Sequence, residues 1–225
     1  YVFFDLVMYN VGVCGMDEIA LSVLTTVIGH QVEKGWAIVD DFLPPVLTRA
    51  LAGECRQRHA QGLLTEAGTG RGNAQRIRST LRGDSIQWLE PGQSRATDDY
   101  LRAMDALRQT LNASLYLGLE DFESHFALYP SGAFYLRHLD RFRDDDRREL
   151  SAILYLNEDW SADAGGELRL FFDVQGDAPC NLDIQPLAGR LVLFRSAQLF
   201  HEVLPAQRER LSLTGWFRRR GSGVM

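Results

Sequence analysis

The sequence predicts an α+β fold, helices first and strands after, within one structural unit. Three observations predict it. Apolar residues recur at helical spacing in three stretches before residue 118. After Gly118, seven short β-rich runs follow one another with turn residues and no helix between them, as in a sandwich, barrel or jelly roll. No Pro/Gly/Ser-rich linker and no repeat divides the 225 residues, a length that suits one large domain. The expected divisions are residues 1–15 as an extension, 16–118 as a helical region with a long loop, and 119–220 as the β-rich core.

The elements follow in order. "YVFFDLVMYNVGVCG" is apolar but too short to span a bilayer, and it has no basic leader. Met16 before Asp17 and Glu18 reads as a natural start, so residues 1–15 read as upstream or non-native sequence. From Asp17 to about Lys34, Ile19, Leu21, Val23, Leu24, Val27 and Ile28 mark a first helix, with acids in its first turn. "GWAIVDDFL" is a short strand. Pro44 and Pro45 open a second helix with an expected stripe of Val46, Leu47, Ala50 and Leu51, proline being tolerated where the first amides are unpaired. "GLLTEAGTGRGNAQRIRSTLRGDSIQWLE" reads as a long loop with one strand or hairpin near Ser85–Leu89, and loops of this length are usually functional. Thr97-Asp98-Asp99 is the expected cap of a third helix, with Leu101, Met104, Leu107, Leu111 and Leu115 as its buried stripe. The strand runs are "FESHFALY", "AFYLRHLD", "LSAILYLNE", "ELRLFF", "NLDIQP", "RLVLFR" and "RLSLTGWF".

Composition excludes some classes. The net charge is −6 and the acids are dispersed, which argues against a nucleic-acid binder. The run Phe217-Arg218-Arg219-Arg220 reads as a solvated tail. Cys14, Cys55 and Cys180 are far apart and form no CxxC pair, so a disulfide framework or thiolate zinc site is not expected, and a reducing cytoplasm fits. No segment suggests a membrane partner. "GTGRGN" lacks a following helix and a GK[ST], so it reads as a turn and not as a phosphate cradle.

Function concentrates on few histidines. In "YLRHLDRF", His138 and Asp140 stand two apart, and side chains at i and i+2 of a strand share a face. His201 follows the strand "GRLVLFRSAQLF" and is placed to reach back to that pair in a rolled sheet. Two histidines and one carboxylate make a facial triad, which leaves positions open and suits non-haem Fe(II). His30 and His59 read as surface residues. His125 has apolar neighbours and no carboxylate two residues away, so it ranks low as a ligand. In "RLSLTGW", alternation puts Arg210, Ser212, Thr214 and Trp216 on one face and Leu211, Leu213 and Phe217 on the other. An arginine beside a metal can hold a carboxylate with two parallel hydrogen bonds, which a dicarboxylate such as 2-oxoglutarate would need.

"YPSGAFYLRHLDRF", "LYLNEDW", "GGELRLF", "FRSAQLFHEVLPAQRERLSLTGWF" and "LRGDSIQWLE" together resemble the prolyl 4-hydroxylases of the Fe(II)/2-oxoglutarate oxygenase superfamily. The likeness is nearest to the EGLN-type oxygen-sensing hydroxylases and their bacterial relatives, and it covers about Gly35 to Phe217. The resemblance implies a double-stranded β-helix (jelly roll) with the N-terminal helices packed on one sheet. It implies iron ligands His138, Asp140 and His201, and Arg210 on the distal carboxylate of 2-oxoglutarate. Tyr129 and Tyr155 match tyrosines that contact the cosubstrate, and Thr214 and Leu168 match pocket-lining positions. Arg82 and Asp84 of "LRGD", with Trp88, match a mobile substrate loop. Arg148 matches a charged residue able to pair with Asp84, and Trp216 an aromatic near the peptide. The segment between Asp140 and Tyr155, "RFRDDDRRE", is more charged than in the family.

The implied reaction is 4-hydroxylation of a proline in a protein, with Fe(II), 2-oxoglutarate and O₂, succinate and CO₂ as products, and ascorbate as a further cofactor. The implied partner in the bacterial branch is a translation factor such as elongation factor Tu. Two other readings stand beside it: a 2-oxoglutarate oxygenase acting on another residue or a small molecule, and a β-roll binding module without catalysis. A zinc hydrolase fits less well, since no HExxH helix is present.

Overall fold

The computed structural model describes residues 34–69, 76–77, 80–141, 145–172 and 180–221, together with Gly29. The extension at 1–15, most of the expected first helix, His30 and Cys14 lie outside the described residues. Two helices are described, α1 (Pro45–Ala60) and α2 (Arg95–Leu115). The first strands are β1 (Trp36–Val39), β2 (Thr65–Glu66), β3 (Gly68–Thr69), β4 (Arg76–Ile77) and β5 (Ser85–Trp88). Then come β6 (Leu119–Tyr129), β7 (Tyr135–His138), β8 (Arg148–Tyr155) and β9 (Leu168–Phe172). The last are β10 (Cys180–Ile184), β11 (Leu191–Arg195), β12 (Phe200–Val203) and β13 (Arg210–Arg219).

A seven-stranded sheet runs β1-β11-β8-β13-β6-β5-β2, and a four-stranded sheet runs β10-β9-β12-β7. Every pairing within them is antiparallel. The fold is a double-stranded β-helix with helices on one sheet. The pleat sorts the residues of β8. Leu150, Ala152 and Leu154 join the large core under the helices. Ile153 and Tyr155 point the other way and meet Leu168, Leu170 and Ile184 of the smaller sheet. Successive side chains of a strand face opposite ways, so one strand serves two layers. β13 does the same, sending Leu211, Leu213 and Phe217 into the core beneath α1 and α2.

Several expectations are corrected here. The α1 stripe is Thr48, Leu51, Ala52, Cys55 and Arg58, whereas Val46 is 71% exposed and Ala50 is exposed as well. Residues 48, 51, 52 and 55 lie on one face at helical spacing, and 46 and 50 fall away from it. The cap of α2 is Ser94 and not Thr97. Ser94 is extended and its Oγ accepts from the Thr97 amide at 3.0 Å. The Ser94 hydroxyl also donates to Glu54 of α1 at 2.6 Å, which ties the two helices together.

The long loop contains more strand than expected, with β2 against β5 and a small β3–β4 hairpin. The basic run is not a solvated tail. Phe217 is fully buried, and Arg218 and Arg219 belong to β13. Arg218 forks onto Asp121 at 2.6 and 2.8 Å, and Arg219 reaches Asp146 at 3.3 Å. Register explains this, since β13 lies alongside the acidic end of β6. Cys55 is buried, Cys180 is exposed, and neither forms a disulfide. Among the described residues, no helix is long and apolar enough to cross a membrane.

Candidate active site

The two sheets enclose a cavity of about 500 Å³. In its wall β7 and β12 are neighbours, and their register sets His138 directly opposite His201. The strand ends at His138, and Asp140 lies just beyond it in a bend. The shared face expected from strand alternation is therefore made by the bend, not the pleat. Asp140 Oδ1 is 3.4 Å from His138 Nε2 and 3.6 Å from His201 Nε2. One ligand atom from each residue falls within a 4.8 Å group.

Both imidazoles are aimed by their own backbone. His138 Nδ1 is 2.8 Å from the Leu136 carbonyl, and His201 Nδ1 is 3.2 Å from the Leu199 carbonyl. A carbonyl can only accept, so each Nδ1 carries the proton and each Nε2 presents a lone pair. Asp140 Oδ2 accepts from Ser151 Oγ at 2.6 Å, and Ser151 Oγ lies 2.9 Å from Ser196 Oγ. Burial pushes the Asp140 carboxyl up, but the attraction of His201 and His138 in their charged forms overrides it and holds the group well below the usual carboxylate range; a cation bound at the Nε2 atoms would take over that role. Burial, then the neighbouring His201, pushes His138 down. A metal ion would take its ligands as neutral imidazoles and an ionised carboxylate. The chemistry of this donor set fits Fe(II).

Arg210 occupies the same cavity and is 1% exposed. Its Nε donates to the Gly166 carbonyl at 2.8 Å, while its buried Nη2 has no hydrogen-bond partner. Gly166 has φ +75°, and a Cβ there would press on Ala206, Trp160 and Arg210, so the glycine makes the cradle for the guanidinium. The Tyr129 and Tyr155 rings flank it at 5.1 and 5.0 Å. The buried Tyr155 hydroxyl also lacks a partner. A buried cation with an orphaned donor is costly unless an anion completes it. A carboxylate of 2-oxoglutarate, which only accepts, fits the Arg210 Nη2 and Tyr155 hydroxyl donors. Leu168 and Thr214 line the same cavity.

The mouth is aromatic and charged. Trp88 is 44% exposed; it meets His125 edge-on at 5.0 Å and Trp216 at 6.1 Å. Arg82 grips Asp84 with two bonds of 2.7 and 2.5 Å. The Arg148–Asp84 pairing that the resemblance implied is not formed. Arg148 Nε instead donates to Glu123 at 2.9 Å, and its guanidinium lies 3.4 Å from the Trp216 ring centroid. Register decides this. Trp216 of β13 pairs with Glu123 of β6 on one side and with Ser151 of β8 on the other, so Arg148, at the start of β8, reaches Glu123 across β13 and over the Trp216 ring.

The structure thus brings His138, Asp140, His201, Arg210, Tyr129, Tyr155, Thr214 and Leu168 to one cavity, with Arg82, Trp88, Arg148 and Trp216 on its walls. Asp84 stands behind Arg82. Sequence reasoning missed Ser151 and Ser196, which brace Asp140, and Tyr135, Glu123 and His125 on the wall. Ser151 had a signal, since alternation puts it on the same face as Tyr155.

A facial triad of two histidines and a carboxylate beside a buried arginine, inside a double-stranded β-helix, is the arrangement of a 2-oxoglutarate- and iron-dependent oxygenase. The profile of the 2OG-Fe(II) oxygenase superfamily matches residues 124–218. Mouse prolyl hydroxylase EGLN3 is 30% identical over 209 residues, covering 90% of this chain and 84% of that protein. Human Egl nine homolog 1 is 35% identical over 195 residues, covering 82% of this chain and 44% of that protein. A Pseudomonas putida prolyl-4-hydroxylase structure is 56% identical with a TM-score of 0.79, covering 88% of this chain and all of that one. The chain belongs to the prolyl hydroxylase family of the 2OG-Fe(II) oxygenases.

Proposed function

We propose that the protein hydroxylates the 4-position of a prolyl residue in a protein substrate, with His138, Asp140 and His201 holding Fe(II) and Arg210 holding 2-oxoglutarate. When bound, iron with 2-oxoglutarate and O₂ supplies the oxidising power that turns C–H into C–OH and releases succinate and CO₂. The observation that carries this is the pairing of the triad with the unpaired Arg210 donor in one cavity.

The chain's own part is orientation. Ser151 fixes the Asp140 carboxylate, and the Leu136 and Leu199 carbonyls fix the imidazole rings. Arg210, Tyr129 and Tyr155 would anchor the distal carboxylate, so the 2-oxo acid end faces the triad. The apolar Leu168 and Ile153 keep water off the carbon chain. Trp88, Trp216, Arg148 and the Arg82–Asp84 pair form the wall where a peptide would rest. Binding and orientation of the reacting groups are a large part of what a protein adds to such chemistry.

The resemblance to the bacterial branch supports elongation factor Tu as the target, the cytoplasm as the compartment and ascorbate as an auxiliary reductant. A Trichoplax adhaerens prolyl hydroxylase, solved with a hypoxia inducible factor peptide fragment, is 26% identical with a TM-score of 0.77; that likeness supports a peptide in the cleft. The test is incubation with purified elongation factor Tu and with proline-containing peptides, read by mass spectrometry. Gain of one oxygen on a proline, matched by succinate, supports the reading. Succinate released with oxygen appearing on another residue or on a small molecule overturns it.

A further inference from the structure

His138 is held from the substrate rim. Its imidazole lies against the Tyr135 ring with centroids 3.6 Å apart and planes 17° apart. The Arg82 guanidinium lies 4.3 Å from the centroid of that same ring. Two planar groups so close to one centroid cannot share a face, so Tyr135 is sandwiched between the arginine and the histidine. Arg82 is in turn fixed by its fork onto the buried Asp84.

The backbone repeats the connection. The Gly83 amide donates to the Phe134 carbonyl at 3.0 Å, and the Leu136 amide donates to the Leu81 carbonyl at 2.9 Å. The Leu136 carbonyl is the group that aims His138 Nδ1. Leu81–Asp84 therefore supports the ring twice, through the stack and through the strand that carries it. His201 is held differently. It sits between two strands and meets Phe194 edge-on at 4.6 Å and the His138 ring at 4.2 Å.

We propose that Tyr135 and Arg82 are positioning residues for His138, and that metal affinity is coupled through this stack to the docked position of Leu81–Asp84. The proposal rests on the metal centre proposed above. Groups behind a metal-binding histidine set its orientation and the affinity of the site. Coupling of this kind is reciprocal: a bound metal holds the rim segment, and a displaced rim segment weakens the metal. The two histidines then have separate duties, His201 as the fixed ligand and His138 as the ligand that senses the rim.

The experiment uses Co(II) as the probe with the full chain. Wild type is expected to bind it, and Asp140→Ala is not. Tyr135→Leu should weaken binding on the order of tenfold and alter the visible Co(II) spectrum. Tyr135→Phe, which keeps the stacked ring, should restore both. Co(II) should slow hydrogen exchange at the Gly83 and Leu136 amides in wild type and not in Tyr135→Leu. If Tyr135→Leu binds Co(II) with wild-type affinity and spectrum, the stack has no such role and the metal centre still stands. If wild type binds no Co(II), the centre and this proposal fall together. Should Tyr135→Leu not fold, Arg82→Lys decides. It keeps a charge for Asp84 but loses the stacked plane. Wild-type affinity and amide protection in that variant would overturn the coupling, and weaker binding with faster exchange would support it.

Discussion

The two faces of β13 were built for opposite purposes. On the helical side, Leu211, Leu213 and Phe217 are fully buried in a core of apolar side chains. On the cavity side, the same strand presents Arg210, Thr214 and Trp216, and buried polar atoms of Arg210 and Trp216 find no partner. One face gives its free energy to folding. The other gives some back by holding polar groups ready for a ligand. The difference teaches where to look for chemistry in a fold of this kind: at the residues whose burial the protein alone does not satisfy.

The comparison can be broken from either side, and the cavity face should give the largest effect on function. Arg210→Met removes a buried charge partner for a carboxylate, so affinity for 2-oxoglutarate should fall on the order of a hundredfold or more in an equilibrium titration. Its urea midpoint should move less than that of a core variant. The lost bond to Gly166 costs stability, and relief of the unpaired buried cation offsets that cost.

Leu213→Ala should do the reverse. It removes packing in the main core, and urea unfolding should show a loss of about 2–5 kcal/mol, while the folded fraction still binds metal.

His125 ranks next. It is buried against Trp88 and Trp216, and burial pushes its pKa down to about 4 from 6.5. The unfolded chain therefore takes up this proton first as pH falls. The contribution is intact above pH 6.5 and is lost as pH falls towards 4, amounting to about 3 kcal/mol. In His125→Gln, the fall in stability across that window should be smaller by this amount, read from urea midpoints at several pH values. The smallest effect belongs to the helical side, where Ser94→Ala should cost about 1 kcal/mol in thermal unfolding by removing the cap of α2.

Two of the expected helices and the succession of strands along the chain were legible in the sequence, because local periodicity carries them; which strands pair was not. The alternation of "RLSLTGW" separates Leu211 and Leu213 from Arg210 and Thr214, and the observed strand keeps that separation. Met104, Leu107 and Leu111 of the α2 stripe were legible for the same reason, whereas Leu101 and Leu115 are only half-buried and Thr97 and Tyr100 fill the core in their place. The cap of α2 was not legible, since Thr97-Asp98-Asp99 is as good a local signal as Ser94; the extended backbone of Ser94 and its bond from the Thr97 amide mark it as the cap, while Glu54 of the neighbouring helix accepts from both hydroxyls. The ion pairs were illegible for a deeper reason. Whether Arg148 meets Asp84 or Glu123, and whether Arg218 hangs in solvent or grips Asp121, depends on register between strands far apart in the chain. Tyr135 was in plain view beside His138, but a stack between residues three apart at a strand end follows from no period. The residues that the family resemblance singled out do meet in one cavity, Asp84 excepted, and the serines that brace Asp140 lie outside it.

The most direct test of the central claim is anaerobic. Fe(II) and then 2-oxoglutarate are added to the pure protein, and the visible spectrum is searched for the charge-transfer band of an iron-chelated 2-oxo acid. The expected result is a band in wild type, absent in Asp140→Ala and weakened in Arg210→Ala. Iron binding by wild type without the band would contradict the claim that the triad and Arg210 are two ends of one cosubstrate site.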